Sequence, residues 1–476
     1  MPLDVSRLES LLTSRIGAAA IAVAAVSAAH ANALEASFQF DDWEVIVRDP
    51  RVQSVAAWWA AMPGIRPLLK LSYALGHASG LGVVGFHAVN LAIHASNTLI
   101  AQALIRQLAL RNGRDAIVAG WISLASALVF ALHPLQTEAV TYASGRSSSL
   151  STGLVLASIL LWIAAQKGVR RPRWLQAASL LAMGMALAVK ETAVIVPAAL
   201  MLWRTTDPSQ PADLRSLLRD SALHWVTLLA ALGAALALPA YRSLFATSLA
   251  TRSPLENLVA QTHGVAYLLG QFVRIDRLNA DPALQATTTL GVSGFAFVFG
   301  LLALLGLALI QLRRWPTASF AILWTGLWLL PTNSLLARLD LVNDRQAYGA
   351  LLGPALLLGL AVGGLARRRP LAAGIVLALL ALGLGVATHR RNEVYRNEAS
   401  FWRAVIEDSP HNARAFNNLG VALAADCDAA GAKRAWRRAL ALDPEYVRAA
   451  VNLRLALDAP EQGLDAKSPC EAAARK

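Results

Sequence analysis

The sequence has few charged residues and almost no cysteine. Only 15% of its 476 residues are charged, whereas 56% are hydrophobic. A soluble domain carries roughly a quarter charged residues, so this scarcity excludes an ordinary soluble protein and indicates an integral membrane protein. The two cysteines, Cys427 and Cys470, show no Cys-x-x-Cys or Cys/His spacing, which excludes a recognisable zinc site. The sequence is compatible with a disulfide between them and with two separate thiols.

The formal net charge of +13 could indicate an acidic partner such as nucleic acid. The basic residues, however, fall in short clusters between apolar runs, and such clusters are typical of the cytoplasmic loops of membrane proteins. We therefore expect a membrane-embedded chain with lipid around it and no nucleic-acid partner.

We interpret eleven apolar segments as membrane spans, because a hydrocarbon core of ~30 Å needs about 20 helical residues. They cover residues 16–34, 86–108, 116–132, 147–165, 174–189, 191–203, 221–240, 288–311, 317–333, 349–366 and 370–388. The segment 255–275 contains polar residues such as His263, and we interpret it as a re-entrant or surface helix. With a cytoplasmic N-terminus, eleven spans place the basic clusters before residue 388 inside. The sequence therefore predicts an all-α, polytopic membrane helical bundle over residues 1–388.

The N-terminus has an alternative interpretation, since Arg15 and the apolar stretch after it also fit a signal peptide covering residues 1–31. In both interpretations residues 35–85 form an external loop. The same topology places 133–146, 334–348 and the whole region after 389 on the outer side.

The C-terminal region carries a repeat signature. Small and large residues from Phe416 through Gly420 and Trp436 to Pro444 follow the 34-residue pattern of the tetratricopeptide repeat. We predict a short, extracytoplasmic repeat domain in residues 389–476 with a disordered end. Such a domain could dock a protein or glycan acceptor.

The first candidate site is the pair Asp41 and Asp42, which follow the first apolar segment. Two carboxylates at a membrane mouth suggest general-base chemistry. They could also hold Mg²⁺ or Mn²⁺, although we favour a reaction without a metal or another cofactor. The alternatives are a solvated helix end, or an Asp42 side chain that caps the segment beginning at Trp43.

Three further external segments combine polar residues. His133, Glu138 and Arg146 lie within one short connection, and such groups are costly in hydrocarbon unless they face a hydrated cavity. The alternative is a short external loop with a proline turn, in which His133 is a structural hydrogen bonder.

The other two segments are Lys190-Glu191, which could be a self-neutralising ion pair, and Asp344-Arg345. An Arg at the interface can bind phosphate bidentately. The alternative for Arg345 is a salt bridge to Asp344 or Glu138.

Together these residues suit one reaction, sugar transfer from a polyprenyl-phosphate carrier to an external acceptor. An Asp would accept the proton of the acceptor hydroxyl, cations would stabilise the leaving phosphate, and direct displacement would invert the anomeric carbon. A non-catalytic scaffold that recruits envelope partners through the repeat is one alternative. A transporter of a lipid-linked substrate is another, but the sequence shows no inverted repeats.

The order of several short motifs resembles one known family, the transmembrane and tetratricopeptide-repeat O-mannosyltransferase-like proteins of the GT-C glycosyltransferase superfamily. The resemblance rests on Phe40-Asp41-Asp42, Arg66-Pro67-Leu68, Ser72-Tyr73-Ala74-Leu75, Gly85-Phe86-His87-Ala88-Val89-Asn90, His133-Pro134, Thr137-Glu138-Ala139-Val140, Gly145-Arg146, Lys190-Glu191-Thr192, Asp344-Arg345, Tyr348 and Trp402.

The resemblance implies a GT-C fold and an extracytoplasmic site that uses dolichyl- or polyprenyl-phosphate sugar. It implies a catalytic acid at Asp41 or Asp42, with Asp42 favoured, a second acid at Glu138, and Arg345 near the lipid phosphate; Arg66 lies in a matching motif. Two departures leave the sugar and the acceptor open: Ser147 follows Arg146 where an acid is usual, and the repeat array is short. An Ala-, Arg- and Trp-rich composition indicates a bacterial plasma-membrane protein with undecaprenyl-phosphate as the carrier.

Overall fold

The computed structural model describes residues 13–167, 172–209 and 213–458. Within these ranges the chain is helical and has no strand, so the all-α prediction is confirmed. A cleaved leader covering residues 1–31 and a disordered end fall wholly or partly outside the described residues. Cys470 also lies outside the described residues, so the alternative of a disulfide to Cys427 falls outside them too.

The first half of the chain contains long helices and several short ones. They are Arg15–Ala29, Val55–Ala60, Pro67–Ala78, Gly82–Arg111, Ala116–Leu132, Thr137–Val140, Arg146–Ala165, Arg173–Val189 and Val196–Thr205. The helices of the second half are Leu214–Ala237, Pro239–Thr251, Pro254–Gln271, Val292–Ile310, Pro316–Leu329, Leu352–Ala366, Pro370–Glu393, Glu398–Asp408, Ala413–Ala425, Ala429–Leu442 and Val447–Asp458. Single helical turns connect several of them, at Ala31–Glu35, Trp43–Val47, Pro50–Val52, Pro134–Gln136, Ala143–Gly145, Glu191–Ile195 and Asp344–Ala347.

The predicted number of eleven membrane spans is wrong. Among the described residues, five helices are long and apolar enough to cross a membrane, namely Gly82–Arg111, Ala143–Ala165, Leu214–Ala237, Val292–Ile310 and Pro370–Glu393. A sixth follows if Ala116–Leu132 and Pro134–Val140, bent by 53°, count as one span. The other apolar segments form shorter helices, such as the 15-residue Leu352–Ala366. At 1.5 Å per residue these do not reach ~30 Å, and an apolar run does not show where its helix breaks. The several apolar helices still indicate a multi-pass membrane protein.

Small residues allow close packing at the centre of the bundle. Helix Leu352–Ala366 lies against helix Ala116–Leu132, and a Cβ atom on Gly359 would collide with the Ser126 hydroxyl. Glycine at this position therefore lets the two backbones approach, as is common between membrane helices.

The C-terminal helices from Glu398 to Asp458 pack one on the next around buried Phe401, Trp402 and Trp436. The indole N–H of Trp436 donates to the Asn417 carbonyl at 3.1 Å. Helices that pack in sequence do not by themselves identify a tetratricopeptide repeat or a domain boundary at residue 388. Both assignments stay predictions.

The two ends of the bundle differ. One end, called the site end below, brings together residues 36–49, 66–73, 138–148, 190–191 and 338–348. The opposite end, called the arginine end, carries residues 111–114, 313–315 and 367–369. The 30-residue helix Gly82–Arg111 runs from the site end to the arginine end.

Candidate functional site

The loop that carries Asp41 and Asp42 holds them in different environments. Phe40 adopts a left-handed conformation with φ 39°, which costs a non-glycine residue on the order of 1–3 kcal/mol and is common at functional sites. Asp42 is completely buried. Its carboxylate accepts the backbone N–H of Gln39 at 3.0 Å and that of Ser144 at 2.7 Å. It does not cap the turn that begins at Trp43, so the alternative of a capping Asp42 is wrong.

Burial raises the pKa of Asp42 to about 7, although the two backbone N–H groups favour the ionised form. Both oxygens of Asp42 are occupied by these donors. The side chain therefore anchors the loop and has no free face for a substrate.

Asp41 faces a cavity at the site end. Its side chain is 42% exposed, and its backbone N–H donates to the Tyr142 hydroxyl at 2.9 Å. The cavity has a volume of 310 Å³. The charged residues that line it are Asp41, Glu44, Asp49, Arg51, Arg66, Lys70, Lys190, Arg338 and Arg345.

Arg345 joins two carboxylates from distant parts of the chain. One guanidinium nitrogen lies 3.5 Å from Asp41 Oδ2 and another lies 3.5 Å from Glu138 Oε1. The backbone N–H of Arg345 also donates to Glu138 Oε2 at 3.0 Å. The guanidinium lies 5.4 Å from the ring centre of Tyr142. A planar cation is thereby held in one orientation at the cavity wall.

A close backbone approach positions Glu138. Residues 134–145 fold into consecutive tight turns, and a Cβ atom on Gly145 would collide with the Glu138 carbonyl oxygen. Only glycine allows this approach, which brings the N–H of Ser144 to Asp42 and the carboxylate of Glu138 to Arg345.

Lys190 and Glu191 do not form the self-neutralising pair that the sequence left open. Glu191 accepts a two-pronged bond from Arg66, at 3.0 Å from Nε and 2.6 Å from Nη2. Lys190 is buried and donates to the Ser148 hydroxyl at 2.7 Å. Its pKa lies well below the usual value, first because of burial and then because Arg338 and other cations lie near. An anion in the cavity would relieve this repulsion.

Asp42, Glu138 and Glu191 contact residues of this cavity but do not line it, and three other predicted site residues also lie outside its lining. His133 is buried, with Nε2 at 3.2 Å from the Phe272 carbonyl and Nδ1 accepting the Leu135 N–H at 3.2 Å. Asp344 is buried beside Arg391, at 4.0 Å. Burial and the neighbouring Glu138 raise the Asp344 pKa.

The third is Arg146, which is completely buried. It donates to Asn90 Oδ1 at 2.6 Å and to the carbonyls of Ser72 and Phe86, both at 2.9 Å. These bonds occupy its three nitrogens and tie three helices together, so in this structure the side chain supports the site rather than facing a substrate.

Sequence reasoning missed three cations of the cavity, namely Arg51, Lys70 and Arg338. Lys70 lies one helical turn after Arg66, and Arg338 lies in the same predicted external loop as Arg345. The four-residue spacing from Arg66 could have indicated Lys70, and the shared loop with Arg345 could have indicated Arg338.

Glu398, in the C-terminal helices, was also missed. Its Oε1 atom accepts the Phe40 backbone N–H at 3.2 Å and the Trp43 indole N–H at 3.1 Å. The Trp402 ring packs edge-on against Phe40, with ring centres 5.3 Å apart. The C-terminal helices therefore hold the loop that presents Asp41.

The described residues contain no group of three or more His, Cys, Asp or Glu side chains that could hold a metal ion. The structure thus offers no ligand set from which to propose a metal centre. The expectation of a reaction without a metal stays a prediction.

The fold and the cavity define an all-helical, multi-pass membrane protein with carboxylates and cations gathered at one end. Comparison with known proteins gives more detail. The chain is 24% identical over 83% of its length to protein O-mannosyl-transferase TMTC4 of Homo sapiens. It is 26% identical over 75% of its length to Tmtc3 of Drosophila melanogaster, and 30% identical over 30% of its length to human TMTC1. Both of these bear the same enzyme name.

These matches cover 62%, 46% and 18% of the respective relatives, so the chain spans less than two thirds of their length. No family model matches the chain, and no solved structure matches it. The resemblance to O-mannosyltransferase-like proteins is confirmed, and the relatives' names support a glycosyltransferase role.

Proposed function

We propose that the protein is a GT-C-type glycosyltransferase that moves a sugar from a polyprenyl-phosphate carrier to a hydroxyl group of an extracytoplasmic protein or glycan. The observation that carries this proposal is the cavity in which Asp41 stands among Arg66, Lys190, Arg338 and Arg345. A base and several cations in one cavity are the groups that displacement of a sugar from a phosphate requires.

Asp41 acts as the general base. It accepts the proton of the acceptor hydroxyl while that oxygen bonds to the anomeric carbon. The bond between the anomeric carbon and the phosphate oxygen breaks on the opposite face, so the product has inverted configuration. The bonding electrons leave with the polyprenyl phosphate. Arg345, held by Asp41 and Glu138, keeps the carboxylate of the base in place.

The cations bind the phosphate. Lys190 carries three donors and Arg338 and Arg345 carry planar guanidinium groups that match phosphate oxygens. Glu191 neutralises Arg66. Among the described residues, no carboxylate oxygen lies within 4.0 Å of the Lys190 side-chain nitrogen. The positive charge that remains stabilises the second negative charge of the departing phosphate.

The arrangement is less consistent with the two alternatives. A scaffold has no need for a base among cations, and a transporter of lipid-linked substrate has no need for a carboxylate fixed against Arg345. We further propose that the protein resides in a bacterial plasma membrane, with the site end and the C-terminal helices on the outer side, because the arginine end carries the basic clusters. There the C-terminal helices could dock the acceptor.

Mass spectrometry of envelope proteins and glycolipids tests the proposal in a deletion strain. We expect a hexose-bearing product to disappear on deletion and to return with the wild-type chain but not with Asp41→Asn at equal protein level. Restoration by Asp41→Asn would favour the scaffold and contradict catalysis by this residue.

A further inference from the structure

A second, larger cavity lies at the arginine end and is unrelated to the proposed reaction. Its volume is 1020 Å³. Five arginines line it: Arg114, Arg314, Arg367, Arg368 and Arg369. The site cavity lies at the other end of helix Pro370–Glu393, whose 24 residues span ~36 Å.

The charge of this cavity has a single sign. No Asp or Glu appears among its lining residues, and in the described part of the chain none of the five guanidinium groups lies within 4.0 Å of a carboxylate. The topology of a membrane protein places basic residues in cytoplasmic loops. That topology does not require basic residues of three separate connections to surround one cavity. Here the connections at 114, 314 and 367–369 do surround one cavity.

The walls of the cavity are apolar. Val118 and Ile122 contribute from one helix, Leu357 and Leu360 contribute from another, and the largely exposed Trp315 stands at the rim. Trp is favoured at the level of lipid headgroups. A hollow with aliphatic walls and a cationic rim is complementary to a molecule with apolar chains and an anionic head.

We propose that the arginine-end cavity binds an anionic phospholipid. Guanidinium groups of residues 367–369 and Arg314 hold the headgroup phosphate, since an Arg can bind phosphate with two parallel hydrogen bonds. The acyl chains lie along Leu357 and Leu360. Basic pockets between membrane helices on the cytoplasmic side bind such headgroups in other proteins. The proposal stands independently of the glycosyltransferase assignment.

Native mass spectrometry of the purified full-length chain in neutral detergent tests this site. Phosphatidylglycerol is added, with phosphatidylcholine as the zwitterionic comparison, and the bound fraction is measured. We expect phosphatidylglycerol to bind and phosphatidylcholine to bind far more weakly. The triple variant Arg367→Gln/Arg368→Gln/Arg369→Gln should weaken phosphatidylglycerol binding on the order of a hundredfold. Each basic side chain near an anionic lipid contributes a similar amount to the binding free energy, and three such contributions are lost.

Two further variants separate the cavity from general surface charge. Gly364→Leu keeps every charge, and a Cβ atom at Gly364 meets no atom within 4 Å, so the larger side chain is accommodated and occupies the hollow. It should also weaken binding. The control Arg173→Gln/Arg215→Gln/Arg313→Gln removes the same charge from residues that do not line the cavity and should bind as the wild type does.

Equal loss in the control and the cavity triple variant would overturn the proposal, and so would equal binding of the two lipids. Complete displacement of phosphatidylglycerol by inorganic phosphate would also overturn it, since the apolar walls would then contribute nothing. If the triple variant fails to elute as a folded species, unchanged binding by Gly364→Leu overturns the proposal and weakened binding supports it.

Discussion

Asp41 and Asp42 are adjacent in the chain, yet their carboxylates lie in different surroundings. Asp42 is completely buried and holds two backbone N–H groups, whereas Asp41 is 42% exposed and contacts Arg345 in the cavity. The division follows from their partners, because Asp42 is tied to the N–H groups of Gln39 and Ser144, whereas Asp41 meets the Arg345 guanidinium. The buried residue orders the loop and the exposed one is available for chemistry.

Asp41→Asn should therefore lower sugar transfer by about 10²- to 10⁴-fold, the usual range for loss of a general base. Its melting temperature should stay close to that of the wild type, because its carboxylate is partly solvated. The measurement is transfer of labelled sugar from undecaprenyl phosphate in membranes, with thermal unfolding in detergent. Asp42→Asn is the matched comparison and should lower the melting temperature, since an amide nitrogen replaces one acceptor. Wild-type transfer by Asp41→Asn would contradict the assignment.

Arg345→Lys should reduce the transfer rate by about tenfold to a hundredfold, even though the charge is kept. A lysine ammonium is a point charge and cannot contact Asp41 and Glu138 through two nitrogens of a planar group. The rate should be measured as a function of donor concentration. Arg396→Gln is the control, because that side chain is largely exposed and its partner among the described residues is Glu393. Equal rates for Arg345→Lys and Arg396→Gln would show that the bridge is dispensable.

Glu398→Ala should lower kcat with little change in the KM for the donor, because Glu398 positions the loop of Asp41 and does not line the cavity. The change leaves two partly buried N–H donors unpaired, at a cost below the ~1–3 kcal/mol of a fully buried group. Glu398→Gln should restore activity, since a single oxygen accepts both bonds. Glu407→Ala, at an exposed position of the same helix, serves as the control. Failure of Gln to rescue would argue against a positioning role.

The raised pKa of Asp42 predicts how stability depends on pH. Below its ordinary pKa of 3.8 the carboxyl is protonated in both folded and unfolded chains. Between pH 3.8 and about 7 only the unfolded chain ionises, so the free energy of unfolding falls as pH rises, by on the order of 4 kcal/mol over this range.

Thermal unfolding in detergent at a series of pH values provides the measurement. The melting temperatures of the wild type and Asp42→Asn should approach each other as the pH rises from 4 to about 7, because the variant lacks this titration. Glu407→Gln should keep the wild-type slope. Parallel curves for the wild type and Asp42→Asn would contradict the raised pKa.

Sequence reasoning could identify several residues of the site because they are polar groups among apolar segments. Asp41, Glu138, Lys190 and Arg345 stand out for this reason, and the structure brings them to one end of the bundle. The all-helical fold was predictable for the same kind of reason, since long apolar runs without strand alternation indicate helices. Their roles in catalysis stay predictions.

Other features depend on geometry that composition does not contain. The number of spans was overestimated because helices such as Val196–Thr205, with 10 residues, end earlier than their apolar surroundings indicate. Which of Asp41 and Asp42 faces the cavity depends on the partners that each side chain meets. The contact of Glu398 with Phe40 joins residues 358 positions apart, and an isolated exposed-looking Glu gives no sign of such a partner.

The contact between Glu398 and Phe40 has a consequence for biosynthesis. The loop that presents Asp41, the proposed base, emerges from the ribosome hundreds of residues before the helix that anchors it. On the proposed function, full activity is thus delayed until the helix that carries Glu398 has been made and has folded against the loop. A nascent chain that ends before Glu398 would therefore insert into the bilayer with the Asp41 loop still unanchored.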